Sequence, residues 1–142
     1  MNFQASIRNN RGFSLIEIMI VMVIIGLLAS LVGPKLFGKL GQAKQKTAKA
    51  QIEMLMAAMD AYRLDVGHYP TQQEGLNALS TNPGSAEWAG PYLAKGQVPQ
   101  DPWNHPYITQ IPGQHGEVDI SSLGADAKPG GSGEDTDVNS WE

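Results

Sequence analysis

A single carboxylate, Glu17, stands four residues into the otherwise apolar run 13–32. A run of about 20 residues is long enough to span a bilayer as a helix. A carboxylate inside hydrocarbon costs about 2.5–3.5 kcal/mol, so it calls for a partner and for a function. The nearest candidate partner is a free amine, which exists if the chain is cut between Gly12 and Phe13. Residues 1–12 are then a leader, Phe13 carries the new amino terminus, and Glu17 is an assembly residue. Two plainer readings stand beside this one. An ordinary membrane anchor can carry a glutamate that snorkels or is protonated. A secretory signal could be cut near Ala29 and Ser30, although the run is longer than such signals usually are.

A second constellation lies in segment 123–138. It holds four acids (Asp126, Glu134, Asp135 and Asp137), four glycines and one lysine, Lys128. Carboxylates gathered without a cation repel one another. Hard oxygen ligands on a flexible glycine-rich loop suit Ca²⁺, which takes six to eight oxygens and accepts backbone carbonyls among them. The spacing is not that of an EF-hand. A solvated, mobile acidic loop has the same composition, and the residues alone leave both readings open.

Other chemistry finds little support. His68, His105 and His115 are scattered without metal-ligand spacing, and the sequence has no cysteine, hence neither disulfide framework nor thiolate site. No serine–histidine–acid set, phosphate loop or paired-acid system can be assembled, so the chain does not read as an enzyme. The net charge of −4 conceals an asymmetry. Residues 1–50 carry seven Lys/Arg against one acid, and residues 51–142 carry three against thirteen. An acidic C-terminal part argues against nucleic acid as a partner. The count of Lys35, Lys39, Lys44, Lys46 and Lys49 beyond the apolar run, against Arg8 and Arg11 before it, would place the later flank in the cytoplasm.

The elements that must position these groups follow from periodicity. Gly33 and Pro34 end the apolar run. Pro34 removes a helical N–H and crowds the preceding turn, which predicts a kink or local melting there. Beyond it Ala48, Ile52, Leu55, Met59 and Tyr62 recur at helical spacing, one stripe of an amphipathic helix over 34–67. Gly67 and Pro70 terminate it, and Met54, Met56 and Met59 read as core filling. Thr71 and Glu74 form a capping-box pattern opening a short helix through Leu79. Residues 88–106 read as a turn-rich connection. Segments 107–111 and 117–121 alternate as short strands around a turn at 112–116, which predicts a hairpin. The sum is an α+β fold, a small antiparallel sheet laid on a long helix.

The heptapeptide Arg11-Gly12-Phe13-Ser14-Leu15-Ile16-Glu17 resembles the class III leader of the type IV pilin-like superfamily, which includes the type II secretion pseudopilins. The resemblance extends along the chain. Residues 101–104 (Asp-Pro-Trp-Asn), 122–126 (Ser-Leu-Gly-Ala-Asp) and 135–141, ending on Trp141, are similar to the major pseudopilin family of type II secretion. It departs at Ala127, where that family often has glycine, and at Asn139-Ser140-Trp141, where it often has Gly-Asn-Trp.

The resemblance implies a prepilin cut after Gly12 by a membrane aspartyl peptidase (prepilin peptidase), N-methylation of Phe13, and pairing of Glu17 with the amine of a neighbouring subunit. It implies one structural Ca²⁺ in the acidic loop. Its side-chain ligands would be Asp126, Asp135 and Asp137, with backbone oxygens near Leu123 and Lys128. Implied partners are further copies in a helical filament, minor pseudopilins and an inner-membrane assembly platform. The implied organisation is a leader 1–12, a membrane and filament-core helix 13–33, and a periplasmic domain 34–142. That domain divides into the amphipathic helix 34–67, a variable loop and short helix 68–106, and sheet plus cation loop 107–142. This orientation is opposite to the one the lysine count gives. A type IV pilus major pilin is one alternative, although such pilins usually carry a C-terminal cysteine pair. A monomeric, membrane-anchored Ca²⁺-dependent binding module is the other.

Overall fold

A computed structural model describes residues 12–142, so the leader through Arg11 lies outside the described residues. The chain divides into two compact units, Met1–Phe37 and Gly38–Glu142. One helix, α1 (Leu15–Val66), contributes to both.

In the first unit Ser14 opens α1. Its carbonyl accepts the first intrahelical bond, from Ile18 N–H at 3.2 Å, and its hydroxyl accepts from Glu17 N–H at 3.2 Å, which satisfies one of the otherwise unpaired donors of a helix start. From Leu15 to Val32 the large apolar side chains are all exposed, with Leu15 at 78% and Leu31 at 72%. A soluble helix cannot leave such a face in water, and this stretch is long and apolar enough to cross a membrane. The helix stays helical through Pro34. The local melting expected at that proline is therefore absent.

In the second unit the predicted stripe is the core. Ala48, Ile52, Leu55, Met59 and Tyr62 are all at most 1% exposed, joined by Ala58 and, two turns before Ala48, by Gly41. Each large apolar member contributes about 1.5–3 kcal/mol by leaving water. The methionine cluster divides: Met59 is buried, Met56 packs against the core and Met54 stays 43% exposed. Gly67, at φ +93°, ends α1 with its N–H on the Arg63 carbonyl at 2.8 Å, a left-handed C-cap that glycine adopts without a Cβ penalty.

The capping box forms in both directions. Thr71 N–H donates to Glu74 Oε2 at 2.8 Å and Glu74 N–H donates to Thr71 Oγ1 at 3.3 Å. The helix that follows, Gly75–Leu79, is 3₁₀. It delivers Leu76, Ala78 and Leu79 to the core.

The sheet has three antiparallel strands in the order β1 (Ile108–Gln110), β2 (Asp119–Ser122), β3 (Val138–Asn139). Thr109 faces Ile120 across the first pair and Ser122 faces Val138 across the second. The predicted hairpin is present with shorter strands. Pro112 has no N–H to extend β1, and the Asp119 carboxylate takes the N–H groups of Gln114 and His115 at 2.7 and 3.0 Å, which holds the turn as a turn. The free edge of β1 is occupied by a side chain. Gln72 donates to Thr109 O at 2.9 Å and accepts from Ile111 N–H at 2.6 Å, so an amide stands in for a strand neighbour.

Candidate functional site: the first turn of α1 and the acidic loop

The first site is local. Gly12 and Phe13 precede the helix, both exposed, with nothing within 4 Å of a Cβ placed on Gly12. Glu17 sits in the first turn of α1, where a negative charge meets the positive end of the helix dipole. Phe13, Glu17, Ile18, Val21, Met22 and Ile25 line one shallow depression of about 240 Å³ whose surface is apolar. Among the described residues no cation pairs with Glu17. The residues that sequence reasoning joined are therefore adjacent on one surface. Ser14 was not singled out, although its spacing to Glu17, Ser-x-x-Glu, is itself a capping signal.

The acidic loop is built by left-handed residues. Gly124, Ala127, Gly130, Gly131 and Gly133 all have φ between +54° and +101°. At two of them space decides as well as φ. A Cβ on Gly131 would lie 2.5 Å from the Asp135 carbonyl oxygen, and one on Gly124 would lie 2.7 Å from that of Glu134. The loop thus folds back on itself with backbone against backbone, and Ala125 N–H donates to Glu134 O at 2.9 Å. Asp126 is exposed and accepts from Lys128 N–H at 3.1 Å. Asp137 Oδ2 accepts from Gly130 N–H at 2.9 Å, while its Oδ1 is buried without a protein partner. Asp135 ends the 3₁₀ turn Gly133–Asp135. Leu123 is half-buried and Lys128 exposed. Among the described residues no three acidic or histidine side chains converge closely enough to hold a metal by themselves. A hard cation here would rest on one or two of these carboxylates plus backbone carbonyls.

Sequence reasoning missed the brace at the loop's entrance. Asp101 is 3% exposed. Its carboxylate accepts from Trp103 N–H at 3.0 Å, His105 N–H at 2.8 Å and the Ser122 hydroxyl at 2.6 Å. Ser122 Oγ in turn accepts from Gly124 N–H at 3.3 Å, and His105 Nδ1 lies 3.1 Å from Gly124 O. The turn read only as a family signature fixes the residue from which the acidic loop departs. Asp-Pro in front of a polar turn was the available signal. Asn104, at φ +66°, supplies the left-handed step. At the far end His115 stacks on Trp141, with ring centroids 3.9 Å apart and planes 10° from parallel.

Comparison with known proteins agrees with this geometry. A family model described as type II secretion system (T2SS), protein G matches residues 35–141, and one described as prokaryotic N-terminal methylation motif matches residues 7–33. The type II secretion system core protein G of Pseudomonas aeruginosa is 46% identical over 140 residues, 95% of this chain and 97% of the relative. That of Escherichia coli K12 is 42% identical over 134 residues, covering 92% and 90%. The crystal structure of the major pseudopilin from the type 2 secretion system of enterohaemorrhagic Escherichia coli superposes with a TM-score of 0.60 at 32% identity. It covers 76% of this chain and 95% of that one. These likenesses favour a structural pseudopilin over an enzyme, a pilus fibre subunit or a lone anchored module, and they are consistent with an inner-membrane anchor in the first part of α1. The chain belongs to the type II secretion system protein G family.

Proposed function

We propose that this pseudopilus subunit is cut between Gly12 and Phe13 by prepilin peptidase, methylated on the Phe13 amine, and polymerised from the inner membrane with its C-terminal domain in the periplasm. Polymerisation of such subunits drives folded proteins outward across the outer membrane. The observation that carries the reading is Glu17 beside Phe13 on an otherwise apolar, wholly exposed helical face. A charge in hydrocarbon is costly alone and strongly bound when paired. The Glu17 carboxylate of one copy neutralises the Phe13 amine of its neighbour as a subunit leaves the bilayer, and the exposed stripes of residues 13–32 then bury one another in the filament core. Minor pseudopilins and an inner-membrane assembly platform complete the machine. The leader-inside orientation opposes the lysine count. It is the orientation implied by the resemblance of residues 11–17 to the pilin-like leader, and the methylation motif matched over residues 7–33 supports that resemblance.

The acidic loop suits one structural Ca²⁺. The fit rests on the orphaned, buried Asp137 Oδ1 and on a glycine-lined fold that brings carbonyls close. One or two of the carboxylates Asp126, Asp135 and Asp137 would supply the side-chain ligands, with the carbonyls of Leu123 and Lys128 as backbone ligands. Bound there, the ion would offset the loop's carboxylate repulsion and add stability by mass action, and millimolar Ca²⁺ outside the inner membrane suffices for a weak site.

The experiment is Glu17→Leu. Removing the charge improves an anchor by about 2–3 kcal/mol, so a lone anchored module keeps its function. The filament reading expects the variant in the membrane at wild-type level, with filament formation and secretion lost. Normal secretion by Glu17→Leu would overturn it.

A further inference from the structure

Gly41 is buried in α1 within the lysine-rich stretch 35–49, while its neighbours Gln42 and Ala43 are exposed. Glycine inside a helix costs about 0.5–1 kcal/mol relative to alanine, so a buried one needs a packing reason. The reason is Glu134. A Cβ on Gly41 would stand 2.5 Å from Glu134 Cγ and 2.9 Å from its Oε1. One turn on, Gln45 Nε2 donates to the Gly133 carbonyl, and at the next turn Lys49 Nζ donates to Asn139 O at 3.0 Å. Gly41, Gln45 and Lys49 are spaced by four, so they form one face of α1. That face is a seat for the acidic loop and the strand that follows it.

Glu134 is also held from behind, since its carbonyl accepts Ala125 N–H. Its neighbour in the 3₁₀ turn Gly133–Asp135 is the candidate ligand Asp135. One short turn therefore sets the Asp135 backbone against Gly124 and Gly131 of the loop and the Glu134 side chain against the helix. We propose that Glu134 and Gln45 couple the loop to α1, so that a divalent cation bound in the loop orders helix residues 41–49. This rests on the Ca²⁺ reading of the loop and extends it. The ion does more than close a surface loop; it sets how firmly the helix is held next to its membrane-proximal end.

The test is backbone hydrogen exchange, read by mass spectrometry, on the full chain in detergent micelles with millimolar Ca²⁺ or with EGTA. The wild type should show Ca²⁺-dependent slowing in 123–137 and also in 41–49, on the order of tenfold if helix opening follows loop opening. Gln45→Ala combined with Glu134→Ala leaves Asp126, Asp135 and Asp137 in place. It should keep the loop response and reduce the helix response to less than about twofold. Gly41→Ala, which pushes the Glu134 side chain from its niche while raising helix propensity, should act in the same direction. Ca²⁺ slowing of the loop with no change in 41–49, or an unaltered helix response in the double variant, overturns the coupling and leaves the Ca²⁺ site standing. No response of either segment in the wild type removes the Ca²⁺ reading and this inference with it.

Discussion

Asp119 illustrates how one side chain can set both a turn and a pH limit. Burial raises its pKa, but the N–H groups of His115 and Gln114 and the His115 ring outweigh burial and hold the carboxyl below its ordinary value. A carboxyl depressed in the folded state stabilises the fold above its unfolded pKa, about 3.9, and that contribution disappears as pH falls through the lower folded value. Thermal unfolding followed against pH should therefore show stability falling steeply below about pH 4. Asp119→Asn should be less stable at neutral pH and flatter in this acid range. An equal acid slope in the variant would assign the acid loss to other carboxylates. Glu17 differs in kind. Its site was legible from one residue type in the wrong solvent, whereas nothing in the sequence distinguished Asp119 from the other acids of the C-terminal part. Its role arises from a turn that must have its N–H groups satisfied.

The long helix and the acidic loop differ as elements in how they store information. The stripe of α1 follows from a 3.6-residue period, and every predicted member is buried. The capping box at Thr71 and Glu74 was legible for the same reason, since a fixed spacing encodes a fixed geometry. β3 was not legible, because two residues carry no period and Val138 and Asn139 pair only once the loop has returned them to β2. The loop itself is conformationally expensive. Ala127 sits at φ +54°, where a Cβ costs roughly 1–2 kcal/mol. Ala127→Gly should then raise stability by roughly 0.5 kcal/mol, after allowing for glycine's looser unfolded chain. An equal or lower denaturant midpoint would mean that the loop already relieves this strain. Asp126→Ala with Asp135→Ala should lower the melting temperature only when Ca²⁺ is present. Equal Ca²⁺-induced stabilisation of wild type and double variant would exclude these two carboxylates as ligands.

For the whole molecule, two kinds of surface share one chain. The exposed apolar side chains from Phe13 to Val32 cannot be left in water. In the proposed cycle they lie in lipid before assembly and against other subunits after it. The acidic second unit has a conventional core. Hydropathy in the sequence bounds the apolar stretch at residue 33, and charge is uneven along the chain, +6 over residues 1–50 and −10 over residues 51–142. Of the kink or local melting expected at Pro34, melting does not occur, since α1 is unbroken from Leu15 to Val66. The central claim is that residues 1–12 are removed so that the Phe13 amine can meet Glu17. It is tested most directly by intact-mass spectrometry of the chain purified from membranes of its own host. The account predicts the mass of residues 13–142 plus one methyl group. An uncut chain, or one cut near Ala29 and Ser30, would contradict it and deprive Glu17 of its partner.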